Sequence, residues 1–312
     1  MIKSPAQYVE LTAEVAAHDA DAASSLLRTL ADGGAWIETS FSQSDLESDA
    51  ISVNGAPVRV HVYLRGADAE ANASLGRMAL ATAGIGAVVT VRGVDEEDWA
   101  ESWKEHFHVE RFGKHIVVVP SWRAYDPSPR DVVVTLDPGM AFGTGQHETT
   151  RMCIEALERV VSPGAHGRAS VRVLDAGCGS GILSLAAAKL GAAEVTAVDI
   201  DADCVRITEE NARANNLDAI VRAAPGSLGD AWPFSDPPQR RFDVVVSNII
   251  ARVIVELAEP LVDALVEGGR LIVSGIIEER EAEVCAAIGA AGARIDHIRA
   301  MNDWRCIEAA RA

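Results

Sequence analysis

The stretch Asp175-Ala-Gly-Cys-Gly-Ser-Gly181 sets a carboxylate and three alternate glycines directly after the apolar run 171–174, and Ile182-Leu-Ser-Leu-Ala186 opens a helix behind it. A strand, a glycine-rich turn and a helix in that order build a ligand site at the carboxyl edge of a parallel sheet. Glycine lets the backbone approach a ligand with no Cβ in the way. The spacing discriminates between ligands. Dinucleotide sites use G-x-G-x-x-G and seat a pyrophosphate on the helix N-terminus. Here Gly177, Gly179 and Gly181 run G-x-G-x-G, with Asp175 just ahead. A carboxylate in that place repels phosphate but accepts hydrogen bonds from the ammonium of an amino-acid moiety. The next apolar strand, 194–198, ends at Asp199, where an acidic side chain can hydrogen-bond both hydroxyls of a ribose. Ribose at one end and a cationic amino acid at the other describe S-adenosylmethionine, which the two elements together predict in preference to a nicotinamide cofactor. Each element taken singly has a plainer explanation: a tight strand–helix turn, and an Asp199 that merely caps a helix.

The surrounding pattern supplies the scaffold these residues need. From about residue 147, nearly continuous apolar strands (171–174, 195–198, 244–246, 271–273) alternate with helical stretches (183–190, 203–215, 253–266, 278–290). Strands of that composition are buried on both faces, and the alternation predicts a parallel, doubly wound α/β sheet. The front of the chain reads differently. Strand 9–15, helix 20–31, strands 35–41 and 51–53, an Asn54-Gly55 hairpin signal, strand 58–64, helix 67–83 and strand 87–91 give the order β-α-β-β-α-β of a small ferredoxin-like α+β unit. Residues 95–108 read as an amphipathic helix with Trp99, Trp103 and Phe107 on one face, a packing stripe. Strands 116–119 and 132–136 follow, around the Pro-rich turn 126–129. The expected division is 1–93 as a front domain, 94–112 as a linker helix and 113–312 as the main domain.

Composition narrows the function classes. A net charge of −18 argues against direct binding of nucleic acid, which needs clustered Lys and Arg to displace counterions. No apolar run is long enough for a membrane span, and Met1-Ile-Lys-Ser-Pro5 lacks the apolar core of a signal peptide. The five cysteines are scattered without a C-x-x-C pair, which suits neither a disulfide framework nor a zinc site. A cytoplasmic monomer is expected. His147-Glu148 and His106-x-His108 have no third ligand at a workable spacing, so no metal is predicted, and Cys178 reads as a small residue in a tight turn.

Beyond these patterns, Asp137-Pro-Gly-Met-Ala-Phe-Gly-Thr-Gly-Gln-His-Glu-Thr-Thr150 resembles the signature of the bacterial ribosomal protein L11 methyltransferases, a branch of the class I methyltransferases. So do Ser247-Asn-Ile-Ile-Ala251, the stretch Asp98-Trp-Ala-Glu-Ser-Trp-Lys104 and Val119-Pro-Ser-Trp122. The resemblance implies a class I, Rossmann-like catalytic domain and residue roles to go with it. The 137–150 loop would close over the cofactor, with Phe142 and Thr144 near it and Thr150 in contact. Gly177 would approach the methionine portion, Gly179 would also contact the cofactor, Asp199 would hold the ribose, and Gly226-Ser227 would line the adenine pocket. Asn248 would stand between the cofactor and the substrate nitrogen, as the catalytic residue. Two segments depart from the family pattern: Gln146-His-Glu-Thr-Thr150 stands for Thr-His-Pro-Thr-Thr, and Ile250 replaces a leucine.

The implied activity is methylation of lysine side chains, with an α-amino group as a further acceptor, on ribosomal protein L11, the front domain recognising the substrate. Lysines of a different protein and a non-catalytic adenosylmethionine-binding protein are the competing readings. A nucleic-acid methyltransferase would show a basic patch and an Asn-Pro-Pro-Tyr-type strand end, and the chain has neither.

Overall fold

The computed structural model describes residues 8–16, 19–28, 33–38, 41–42, 51–52, 57–65, 69–94, 108–137, 148–161 and 170–312. The chain divides into two compact units, 1–107 and 108–312.

In the first unit, strands β1 (Tyr8–Val15), β2 (Gly33–Glu38), β5 (Val58–Arg65) and β6 (Ala87–Val94) form one sheet in the order β2-β5-β1-β6, with every neighbouring pair antiparallel. Helices α1 (Ala20–Arg28) and α2 (Ala69–Thr82) complete the β-α-β-β-α-β order of a ferredoxin-like unit. Its core shows the period of two that marks half-buried strands. Leu11, Ala13 and Val15 alternate with polar residues on β1, and Val58, Val60, Val62 and Leu64 do so on β5. The hairpin expected around Asn54-Gly55 takes another form: β4 (Ile51–Ser52) pairs with β3 (Phe41–Ser42), while β5 takes β1 and β2 as partners. Two residues of β4 cannot cover an eight-residue strand whose apolar face must be buried. The turn itself lies outside the described residues, as does nearly all of the expected linker helix.

Two sheets build the second unit. The smaller runs β7-β8-β9, from Glu110–Phe112, Ile116–Pro120 and Val132–Leu136. The last part of the expected linker is therefore strand, not helix. Its cause is Glu158 of helix α3 (Glu148–Val161), whose carboxylate accepts the amides of Lys114, His115 and Ile116 at 2.8, 2.8 and 3.0 Å and so holds the β7–β8 turn. The larger sheet has seven strands, ordered β12-β11-β10-β13-β14-β16-β15. These are β10 (Arg172–Ala176), β11 (Glu194–Asp199), β12 (Val221–Pro225), β13 (Phe242–Asn248), β14 (Leu265–Ile277), β15 (Ala293–Met301) and β16 (Trp304–Arg311). The first five in spatial order are parallel, and β16 runs antiparallel between β14 and β15.

Helices α3, α4 (Ile182–Lys189), α5 (Ala202–Ala214), α6 (Ala251–Glu256), α7 (Ala258–Asp263) and α8 (Glu281–Ala290) cover this sheet. Along β10, Val173 packs into one apolar layer with Ile154, Leu157 and Leu185, and the next residue, Leu174, packs into the other with Ile254, Leu261 and Val284. Burial on both faces is why the strand is apolar without alternation. The single helix expected over 253–266 is instead α6 and α7, broken at Leu257. Pro260 has no amide to give the preceding turn, and its ring crowds the carbonyl there.

Sheet order reverses between β10 and β13, so the connections leaving their carboxyl ends part to opposite sides and leave a crevice. Replacing Glu158 by Ala should cost about 1–3 kcal/mol, because the amides of Lys114, His115 and Ile116 lose the carboxylate that accepts them, Ile116 at the buried end of the turn. Urea unfolding measures this, and Glu158→Gln, which keeps one carbonyl oxygen, should fall between the two.

Candidate functional site

The crevice is lined by the ends of four parallel strands. Ala176 and the turn Gly177–Gly181 follow β10, Asp199 closes β11, Gly226 and Ser227 follow β12, and Asn248 closes β13. Among the candidates named from sequence, Thr150, Asp175, Gly177, Gly179, Asp199, Ser227 and Asn248 are described. Phe142 and Thr144 lie outside the described residues.

The glycine-rich turn is held from several directions. The amides of Gly177 and Cys178 donate to the Val198 carbonyl at 2.8 and 3.1 Å, and the amide of Gly179 donates to Oδ2 of Asp199 at 2.9 Å. Oδ1 of Asp199 accepts from the Asp201 amide at 3.0 Å. Each carboxylate oxygen thus keeps acceptor capacity for an incoming hydroxyl. Asp199 is not the helix cap that its position also allowed; Asp201 caps α5, accepting from the Asp203 amide at 2.9 Å. On the far side, the Gly226 amide donates to the Asp199 carbonyl at 2.8 Å, which sets Ser227 beside the same strand end.

Asp175 is fully buried beneath the turn. Its Oδ2 accepts the Ser184 hydroxyl at 2.6 Å, while Oδ1 has no hydrogen-bond partner. Burial pushes its carboxyl up to about 7, and the nearby Asp199 carboxylate adds to the rise against the opposing Ser184 hydrogen bond. A cation over the turn would meet a carboxylate poised to ionise. Cys178 is buried too, and burial drives its thiol well above the ordinary range, so it is no nucleophile.

Asn248 is positioned by its neighbour. Gly177 has φ +84°, and a Cβ there would strike the side chain of Ile249; Gly275, a bulge in β14 with φ +86°, would strike the Ile249 backbone. The Ile249 amide donates to the Ser274 carbonyl at 3.1 Å, and the Ser247 hydroxyl donates to the Ala176 carbonyl at 2.7 Å. Held on both sides, Asn248 donates from Nδ2 to the Thr150 hydroxyl at 3.3 Å, which leaves its Oδ1 available as an acceptor. Thr150 itself is buried in the first turn of α3. Glu148, at the start of that helix, accepts from Nδ2 of Asn302 at 3.0 Å, so the residue that departs from the family pattern engages the β15–β16 turn.

Sequence reasoning missed the apolar rim. Among the described residues of the second unit, the exposed large apolar side chains are Ile200, Ile250 and Ile277, at 85%, 56% and 39% exposure. All three stand at carboxyl ends of parallel strands, β11, β13 and β14. Exposed apolar groups gathered at one edge mark a surface that a ligand or partner covers. The signal was present as an isoleucine directly after Asp199 and two residues after Asn248.

A family model described as ribosomal protein L11 methyltransferase (PrmA) matches residues 7–312. The ribosomal protein L11 methyltransferase of Herpetosiphon aurantiacus is 40% identical over 318 residues, covering 96% of this chain and 97% of its own. That of Chloroflexus aurantiacus is 45% identical over 234 residues, covering 69% and 70%. Among solved structures, the ribosomal protein L11 methylase of Lactobacillus delbrueckii subsp. bulgaricus matches with a TM-score of 0.58 at 32% identity, over 66% of this chain and 99% of that one.

Gly177→Ala should lower the melting temperature by several degrees, since an L side chain at that φ costs about 1–2 kcal/mol before any clash. Ile249→Ala in the same chain should recover the steric part of the loss. A double-mutant cycle by thermal denaturation reads the coupling; strictly additive effects would show that Ile249 does not limit the space over Gly177.

Proposed function

The chain belongs to the ribosomal protein L11 methyltransferase (PrmA) family, and from that membership we propose that it methylates lysine side chains of ribosomal protein L11, with an α-amino group as a second class of acceptor, using S-adenosylmethionine in the cytoplasm. The observation that carries this reading is the close approach of Ile249, the neighbour of Asn248, to Gly177 of the glycine-rich turn across the crevice between β10 and β13.

The residues present fit the cofactor. Asp199 has acceptor capacity for two ribose hydroxyls, the exposed Ile200 offers an apolar face to an adenine, and the side-chain-free Gly177 allows close approach. The unpartnered Oδ1 of Asp175 favours an ammonium over the turn and disfavours the phosphates of a dinucleotide. When bound, S-adenosylmethionine supplies a methyl group already activated by the positive charge on sulfur.

What remains for the protein is placement. An attacking amine must be neutral, since a protonated lysine has no lone pair, and desolvation lowers its usual pKa of about 10.4. Ile250 and Ile277 offer apolar surface for the aliphatic stem of a lysine and help to exclude water. Asn248, through its side-chain Oδ1 or its main-chain carbonyl, accepts an N–H from the amine and so turns the lone pair. No dedicated base is required. Holding reactants in line at near-attack distance contributes about 7–11 kcal/mol in well-oriented systems. Thr150 acts in this scheme by keeping Nδ2 of Asn248 occupied.

Purified L11 incubated with radiolabelled S-adenosylmethionine should become labelled; no label, with cofactor binding demonstrated, would move the search to lysines of another protein. In that assay Asn248→Ala should lower kcat at least tenfold and change cofactor affinity less.

Asp175 makes the pH dependence specific. Its folded pKa of about 7 lies above the unfolded value of about 3.9, so the ligand-free protein loses stability as pH rises from about 4 to about 7. A bound cation favours the ionised form and offsets that loss. Cofactor affinity should therefore increase between about pH 6 and 8 relative to Asp175→Asn. Calorimetric titration of both proteins at several pH values checks this; parallel profiles would remove Asp175 from cofactor recognition.

A further inference from the structure

Helix α5 and its C-terminal cap carry a polar stripe turned inward: Thr208 and Asn211 on the helix and Asn215 as the cap, at 0%, 2% and 5% exposure. Three buried polar side chains on one helix face are costly unless each is paired, and these are. Oδ1 of Asn211 accepts the Asp137 amide at 2.9 Å, and its Nδ2 donates to the Asp137 carbonyl at 2.8 Å and to the Ser180 carbonyl at 3.0 Å. One helical turn on, Oδ1 of Asn215 accepts the Thr135 amide at 2.9 Å, and its Nδ2 donates to the carbonyls of Thr135 at 2.6 Å and Asn211 at 2.8 Å. Thr135 and Asp137 alternate along the edge of β9 that faces away from β8, so two carboxamides take the place of a partner strand.

The pair differs in one respect. The Asn215 carboxamide bonds β9 and its own helix, whereas that of Asn211 also holds the turn that follows β10. Ser180 lies inside that turn, and a hydrogen bond to its carbonyl fixes the plane of the Ser180–Gly181 peptide. Thr208 adds a bond to the Gly179 carbonyl at 3.0 Å. Asp137 begins the motif that carries the family resemblance, and Thr150, which ends it, is bonded to Asn248.

We infer that Asn211 is a positioning residue of the methyl-transfer site, which sets the glycine-rich turn and the start of the Asp137–Thr150 motif against each other through one carboxamide. The inference rests on the reading of that turn as the S-adenosylmethionine site. An apolar side chain would pack α5 equally well; only a carboxamide donates to two carbonyls while accepting an amide. Asn215 provides the internal control, since it loses the same kind of β9 contact without touching the turn.

The experiment compares the full-length wild type with Asn211→Ala and Asn215→Ala, reading S-adenosylhomocysteine affinity by calorimetry, kcat and KM on L11, and melting temperature. Both variants should melt earlier. Asn211→Ala should raise the Kd for S-adenosylhomocysteine at least tenfold and lower kcat, while Asn215→Ala keeps both within twofold. Asn211→Ser, which retains one hydrogen-bonding group, should lie between and serves as the reading if Asn211→Ala does not fold. Equal Kd and kcat in the two alanine variants, with equal losses of melting temperature, would make Asn211 a clasp for β9 alone and overturn the inference. A wild type that binds no S-adenosylhomocysteine would instead overturn the cofactor reading, and this inference with it.

Discussion

The site depends on how closely three strand ends converge around Ile249. The turn after β10 presses on its side chain at Gly177, and the bulge in β14 presses on its backbone at Gly275; a Cβ at either position would occupy space that Ile249 already fills. Close-packed interiors pass displacements on instead of absorbing them. With Ile249 held this way, the residues on either side have little freedom. Asn248 meets Thr150, and Ile250 stands out at the rim. The end of β13 and the turn are thus held in register by exclusion of side chains as much as by hydrogen bonds.

Charge adds selectivity to this geometry. Asp175 lies under the turn and Asp199 beside it. Burial, with the Asp199 carboxylate close by, makes Asp175 hard to ionise. Two carboxylates near one turn make poor company for a pyrophosphate and good company for a cation. In the proposed reading, the residue ahead of the glycines directs a fold shared with dinucleotide enzymes to a different ligand class. The overall charge of −18 has little part in this, since charges separated by more than about 10 Å across solvent are largely screened.

How much of this was legible in the sequence varied with how local the determinant is. The turn after β10, the acidic end of β11 and the doubly wound sheet could be read, because glycine spacing, strand length and two-sided burial leave marks on neighbouring residues. The ferredoxin-like order of the front unit was readable for the same reason, although the partners of β4 and β5 were not. Strand pairing is decided by which apolar faces need cover, and that is settled between residues far apart in the chain. Strand β7, three residues long, depends on a carboxylate at Glu158, more than forty positions away. The break between α6 and α7 was marked by Pro260 and should have been read. The stripe on α5 looked like an ordinary polar helix face, since nothing in Asn211 or Asn215 says that its solvent side is turned inward.

Strand β16 occupies an interior place in the seven-stranded sheet, with β14 on one side and β15 on the other, yet it follows both of them in the chain. Until residues 304–311 have left the ribosome, β14 presents a bare edge of amides and carbonyls, and β15 has no neighbour to hold it. Strands β10, β11 and β12 can pair earlier, because their partners precede them or follow closely. Completion of this sheet therefore waits for residues 304–311. Its nascent form carries an adhesive edge during the interval when other unfinished chains are most concentrated around it.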